Sequence, residues 1–77
     1  MYDSEAVAQR IKETAKLRKI TVKQLLEDAG LGRNMMTMMR TSMPKADNLA
    51  KIADYLDCSV DYLLGRTSDP QSHKKEA

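Results

Sequence analysis

The segment ITVKQLLEDAGLGRNMMTMMR, residues 20–40, constrains the fold of this chain more than any other stretch. Thr21 can accept a hydrogen bond from the first free amides of a helix, and Gln24 three residues on completes a capping box. Leu25, Leu26 and Ala29 then fall on one helical face. Gly30 follows where a chain leaving a helix most often needs a left-handed residue. Leu31 plugs the corner, and Met35, Met36 and Met39 give a second helix, over about residues 33–41, an apolar stripe at spacings of three and four. Helices this short do not hold in water without a scaffold. The flanking sequence must supply one.

It has the pattern to do so. A first helix is expected over about residues 4 to 18 or 19, capped by Asp3 or Ser4, with Glu5 at the positive end of its dipole. Its stripe is Val7, Ile11, Ala15 and Arg18, with Ala8 and Thr14 beside it. Pro44 disfavours helix at Met43 and starts the next element. A fourth helix then runs from residue 45 or 46 to 56, with Leu49, Ile52, Ala53 and Leu56 inward and Tyr55 on the flank. Asp57 and Cys58 form a corner, Ser59 caps a last helix over residues 60–64, and Gly65 ends it. Strand-like alternation is absent throughout. The expectation is an all-α, five-helix domain over residues 1–65 and a disordered polar tail over residues 66–77.

Seventy-seven residues make one domain with a thin core. With no Phe or Trp and three Tyr, that core must be aliphatic and methionine-based. Cys58 cannot form an intrachain disulfide, and with His73 far off it cannot make a structural zinc site. It reads as a small buried apolar group. No apolar run approaches the roughly twenty residues of a membrane span, and no signal-peptide pattern opens the chain. A cytoplasmic location without membrane contact is expected. Nor is there metal-ligand spacing, a nucleophile–base pair or a glycine-rich phosphate loop. No catalytic residue, metal or cofactor is expected.

The net charge of +2 says less than its distribution. Arg10, Lys12, Lys16, Arg18, Lys19 and Lys23 outnumber Asp3, Glu5 and Glu13 in the first 23 residues. Between residues 30 and 46 the only charges are Arg33, Arg40 and Lys45. From Asp47 to Gly65 the balance reverses, with Asp47, Asp54, Asp57 and Asp61 against Lys51. A chain divided in this way can present a positive face to DNA while being nearly neutral in total.

The order from residue 20 to 64, above all TVKQLLEDAGL and NLAKIADYLDCSVDYLLG, resembles the Cro/CI-type helix-turn-helix family, the phage-repressor or XRE-like regulators. The resemblance covers about residues 4–66. It implies a compact bundle whose third helix lies in the DNA major groove, and a transcriptional repressor or switch protein of phage or bacterial type. It also implies a homodimer on a two-fold operator with half-sites about one helical turn apart. Carried over residue by residue, Arg33, Asn34, Thr37 and Met38 are the base-contacting positions. Arginine can bond guanine O6 and N7 together, and asparagine adenine N6 and N7. Met38 offers only apolar contact. Phosphate contacts fall to Thr21, Val22, Lys23, Ser42 and Lys45, with backbone amides at the Thr21 helix start contributing.

The chain departs from the family pattern in several places. Val22 replaces a common glutamine. Ala15 and Arg40 stand where many relatives place an arginine–glutamate pair, which frees Arg40 to reach phosphate. Gly32 replaces a Ser or Thr cap. Family members often pair through the last helix, which would put Val60, Tyr62, Leu63 and Leu64 at a dimer contact; alternatively Val60, Leu63 and Leu64 close the core of a monomer. Four methionines among residues 35–39 also suit a second role on the same scaffold, an anti-repressor or co-regulator that binds a partner repressor protein.

Overall fold

Most helix ends among the described residues are set by a side chain or backbone bond that can be named. The computed structural model describes residues 2–69. Among these it contains five helices and no strand: α1 (Ser4–Leu17), α2 (Val22–Asp28), α3 (Met35–Met38), α4 (Ala46–Leu56) and α5 (Val60–Leu64). The tail expected over residues 66–77 lies largely outside the described residues. Three starts are capped by side chains. Asp3 accepts from the Glu5 amide at 3.2 Å, Thr21 from Gln24 at 3.0 Å and Ser59 from Tyr62 at 3.0 Å.

Four helices end in the same way. A residue in the left-handed region turns the chain, and the next amide reaches back to the carbonyl five residues earlier. The turning residues are Lys19 (φ 60), Gly30 (φ 75), Asp57 (φ 56) and Gly65 (φ 85). The long bonds run from Ile20 to Ala15, Leu31 to Leu26, Cys58 to Ala53 and Arg66 to Asp61, all at 2.8–2.9 Å. The first helix therefore stops at Leu17 rather than at Arg18 or Lys19. Arg18 does not extend the buried stripe either; it is exposed, and its guanidinium donates to the Asp57 carbonyl at 3.1 Å.

The core lies where α1 packs on α5, α2 and α4, and α4 packs on α5. Val7, Ile11, Ala15, Leu25, Met39, Leu49, Ile52, Ala53, Leu56, Cys58 and Leu63 are buried in one cluster. Thr14 is buried as well, and its hydroxyl is satisfied by donating to the Arg10 carbonyl at 2.7 Å. A phenol brace joins α4 to α2 at the surface: Tyr55 Oη donates to Asp28 Oδ2 at 2.6 Å. The Arg10 guanidinium covers Gly65, so that a Cβ there would fall 2.7 Å from Arg10 Cζ. That position also sets a cation at the negative end of α5.

The dimer expectation needs correcting at one residue. Leu63 is 0% exposed and belongs to the core, which removes it from any contact surface of the folded monomer. Val60, Tyr62 and Leu64 pack against the same core but keep part of their surface exposed.

Cys58 is a sealed apolar group. Burial raises its thiol pKa, Arg18 lowers it and Asp57 raises it, with a net upward shift. The unfolded chain therefore releases this proton before the folded chain does. Stability from this source is intact below about pH 8.5 and declines as pH rises beyond it. The Tyr55 phenol, raised by its bond to Asp28, acts in the same direction at still higher pH. A thiol reagent should thus modify Cys58 only at the rate of unfolding. Modification of the native chain as fast as a free thiol would place Cys58 at the surface.

Candidate nucleic-acid interface

The third element is shorter than its pattern suggests. A helix over residues 33–41 was expected, but regular α-helix covers only Met35–Met38. Three-residue bonds flank it, from the Met35 amide to Gly32 O, from Arg40 to Thr37 O and from Thr41 to Met38 O. The physical reason lies at its start. Gly32 has no capping side chain, and Asn34, at the N-cap, makes no side-chain bond to the first amides. With the entry unsecured, tertiary packing alone holds the turn in place.

That packing orients the segment. Met39 is 1% exposed and acts as the anchor; Met35 and Met36 are half-buried against the core. The opposite face carries Asn34, Thr37 and Met38, spaced three and four apart, and all are exposed, Met38 at 61%. Arg33 precedes them and is exposed too. The four residues expected to read bases therefore lie together, outward, on one short ridge.

Grooves run on three sides of this ridge. Toward α2, Val22, Lys23, Leu26, Glu27, Leu31, Arg33 and Met36 line a hollow of about 380 Å³. Toward α4, a larger groove of about 510 Å³ is walled by Arg33, Asn34, Met35, Met38 and Met39 on one side. Met43, Lys45 and Asn48 stand on its other side. Toward α1, Gln9 and Lys12 share a cleft with Thr37 and Arg40. Arg33 lines both of the first two and so crests between them.

The remaining expected residues are placed as follows. Thr21, Lys23, Arg40, Ser42 and Lys45 are exposed; Val22 is half-buried and lines the α2-side groove. Arg33, Arg40 and Lys45 engage in no ion pair among the described residues. Two ion pairs lie elsewhere, Asp47 with Lys51 and Asp61 with Arg66, both in exposed positions where such pairs contribute little. Unpaired cations thus flank the ridge, with Glu27 and Glu5 lining two of the hollows beside them. Sequence reading missed Asn48, Gln9 and Lys12 as neighbours of the ridge. They sit on α4 and α1, and only the tertiary fold brings them there.

An outward ridge carrying Arg, Asn and Thr, anchored by one buried methionine and flanked by unpaired cations, offers side chains that can hydrogen-bond base edges. The chain is 36% identical over 64 residues to the uncharacterized HTH-type transcriptional regulator YobD of Bacillus subtilis (strain 168). The match covers 80% of this chain and 57% of the relative, so the chain spans little more than half of that protein's length. No solved structure matches it. The family model of the Cro/C1-type HTH DNA-binding domain matches residues 10–69, and the chain belongs to that family.

Proposed function

We propose that this chain is a sequence-specific transcriptional regulator, a repressor or switch protein of phage or bacterial type, that reads the DNA major groove with Arg33, Asn34, Thr37 and Met38. The observation that carries this reading is the shared outward exposure of those four side chains opposite the buried anchor Met39. Lys23, Arg40 and Lys45 neutralise phosphates on either side, and Thr21, Val22 and Ser42 lie along the same backbone path. The protein works in the cytoplasm, as a dimer that leaves one ridge for each half-site. Val60, Tyr62 and Leu64 are the apolar residues of α5 with surface left for such a contact.

The test is selection from a randomised duplex pool, followed by anisotropy titration at two salt concentrations. The selected site should bind at least about a thousandfold more tightly than random DNA. Each phosphate contact should add a little under one unit to the salt slope. Sedimentation at micromolar concentration checks the dimer.

One observation favours a second reading. Met38 and Met43, 61% and 38% exposed, give the α4-side groove an adaptable apolar wall of the kind that suits protein partners. Weak, sequence-blind DNA binding would assign the ridge to a partner repressor protein instead.

A further inference from the structure

Met38 faces solvent from the middle of a surface otherwise built of hydrogen-bonding side chains. Its amide donates to the Asn34 carbonyl at 2.9 Å, which sets it one helical turn beyond Asn34 on the same face. Met35, Met39 and Met43 line the same groove, so other thioethers lie beside it among the polar Asn34, Ser42, Lys45 and Asn48. We infer that Met38 is a specificity residue that reads the 5-methyl group of thymine. This rests on the major-groove reading proposed above and names what one position of the ridge selects.

The reason is desolvation. Methionine has no donor and only a weak sulfur acceptor. Pressed against a polar base edge, it would strip water from a group and leave that group unbonded, which is strongly unfavourable. In the major groove the guanine, adenine and unmodified cytosine edges present polar atoms, whereas thymine adds an apolar methyl. Thymine alone among the four bases therefore gives Met38 an apolar partner, and the flexible thioether can adjust to its position. One turn of helix advances about 5.4 Å, against about 3.4 Å per base pair. The selected thymine should thus lie within about two base pairs of the base read by Asn34.

The experiment uses the full chain and two randomised duplex pools, one built with thymine and one with deoxyuridine, which lacks only the methyl. The thymine pool should yield a site with a fixed thymine at that spacing, and the deoxyuridine pool the same site without that preference. On the selected duplex, deoxyuridine at that position should weaken binding about fourfold, the scale of one buried methyl. The effect should persist in Met38→Leu and disappear in Met38→Gln. At 61% exposure, position 38 accepts both substitutions without threat to the fold. Equal preferences from both pools would overturn the methyl reading and leave DNA reading intact. Undiminished methyl sensitivity in Met38→Gln would also overturn it and pass the contact to Thr37. Failure of both pools to yield any site would overturn the DNA reading and this inference with it.

Discussion

Ile11→Ala should be the most destabilising single truncation on α1, costing about 3 kcal/mol within the usual 2–5 for a buried aliphatic. Ile11 is 0% exposed and sits on the helix that packs against α2, α4 and α5. Three carbons leave the core, each worth about 0.8 kcal/mol of burial. A cavity remains that three separate helices would have to close together. A domain of this size holds about 4–11 kcal/mol in total, so the variant forfeits a large share. Its melting temperature should fall by about 12–24 °C. Leu17→Ala, on the same helix and similar in volume lost, should change stability by less than about 0.5 kcal/mol because Leu17 is 76% exposed. Urea denaturation followed by circular dichroism measures both. Equal losses would contradict the burial of one face of α1 and the exposure of the other.

That contrast was legible in the pattern for Ile11 but not for Leu17, and the difference is instructive. Periodicity identified Val7, Ile11, Ala15, Leu25, Leu49, Ile52 and Leu56 as inward, and all are buried. Helix ends divided along residue type. Gly30 and Gly65 announce left-handed turns because glycine adopts them without strain. Lys19 and Asp57 carry the same conformation with no such signal. Tertiary contacts hold them instead: Ile20 follows Lys19 into the core, and Arg18 ties the first corner to the carbonyl of the second. A propensity scale has no access to a bond spanning 39 positions.

The same limit governs the candidate interface. Arg33, Asn34, Thr37 and Met38 could be placed on the outer face because Met39 fixes the inner one, three and four residues being one turn. The length of α3 could not be read, since it depends on whether packing rescues an uncapped start. Leu63 was ambiguous for another reason: the spacing of Val60, Leu63 and Leu64 suits a monomer core and a dimer seam equally well. Burial resolves Leu63 alone. Asn48, Gln9 and Lys12 were invisible as neighbours of the ridge because nothing local connects them to it.

Arg33→Ala and Lys45→Ala should separate reading from gripping. Both side chains are exposed cations lining the α4-side groove, so net charge falls by one in either variant and cannot explain a difference between them. Arg33 crests the ridge between two grooves, where its planar fork can meet a guanine edge. Lys45 stands at the start of α4, beyond the ridge, and offers a point charge. Arg33→Ala should therefore weaken the selected site by about tenfold to a hundredfold, the scale of a lost bidentate base contact. Random DNA should lose far less, and the preference at one base pair should relax. Lys45→Ala should weaken selected and random DNA by the same factor and lower the salt slope by about 0.9. Anisotropy titrations on both DNAs at two salt concentrations distinguish these outcomes. Equal losses for Arg33→Ala on the two DNAs would reassign Arg33 to phosphate. Asn34 would then be the first base reader of the ridge, and specificity would begin at the N-cap of α3 rather than one residue before it.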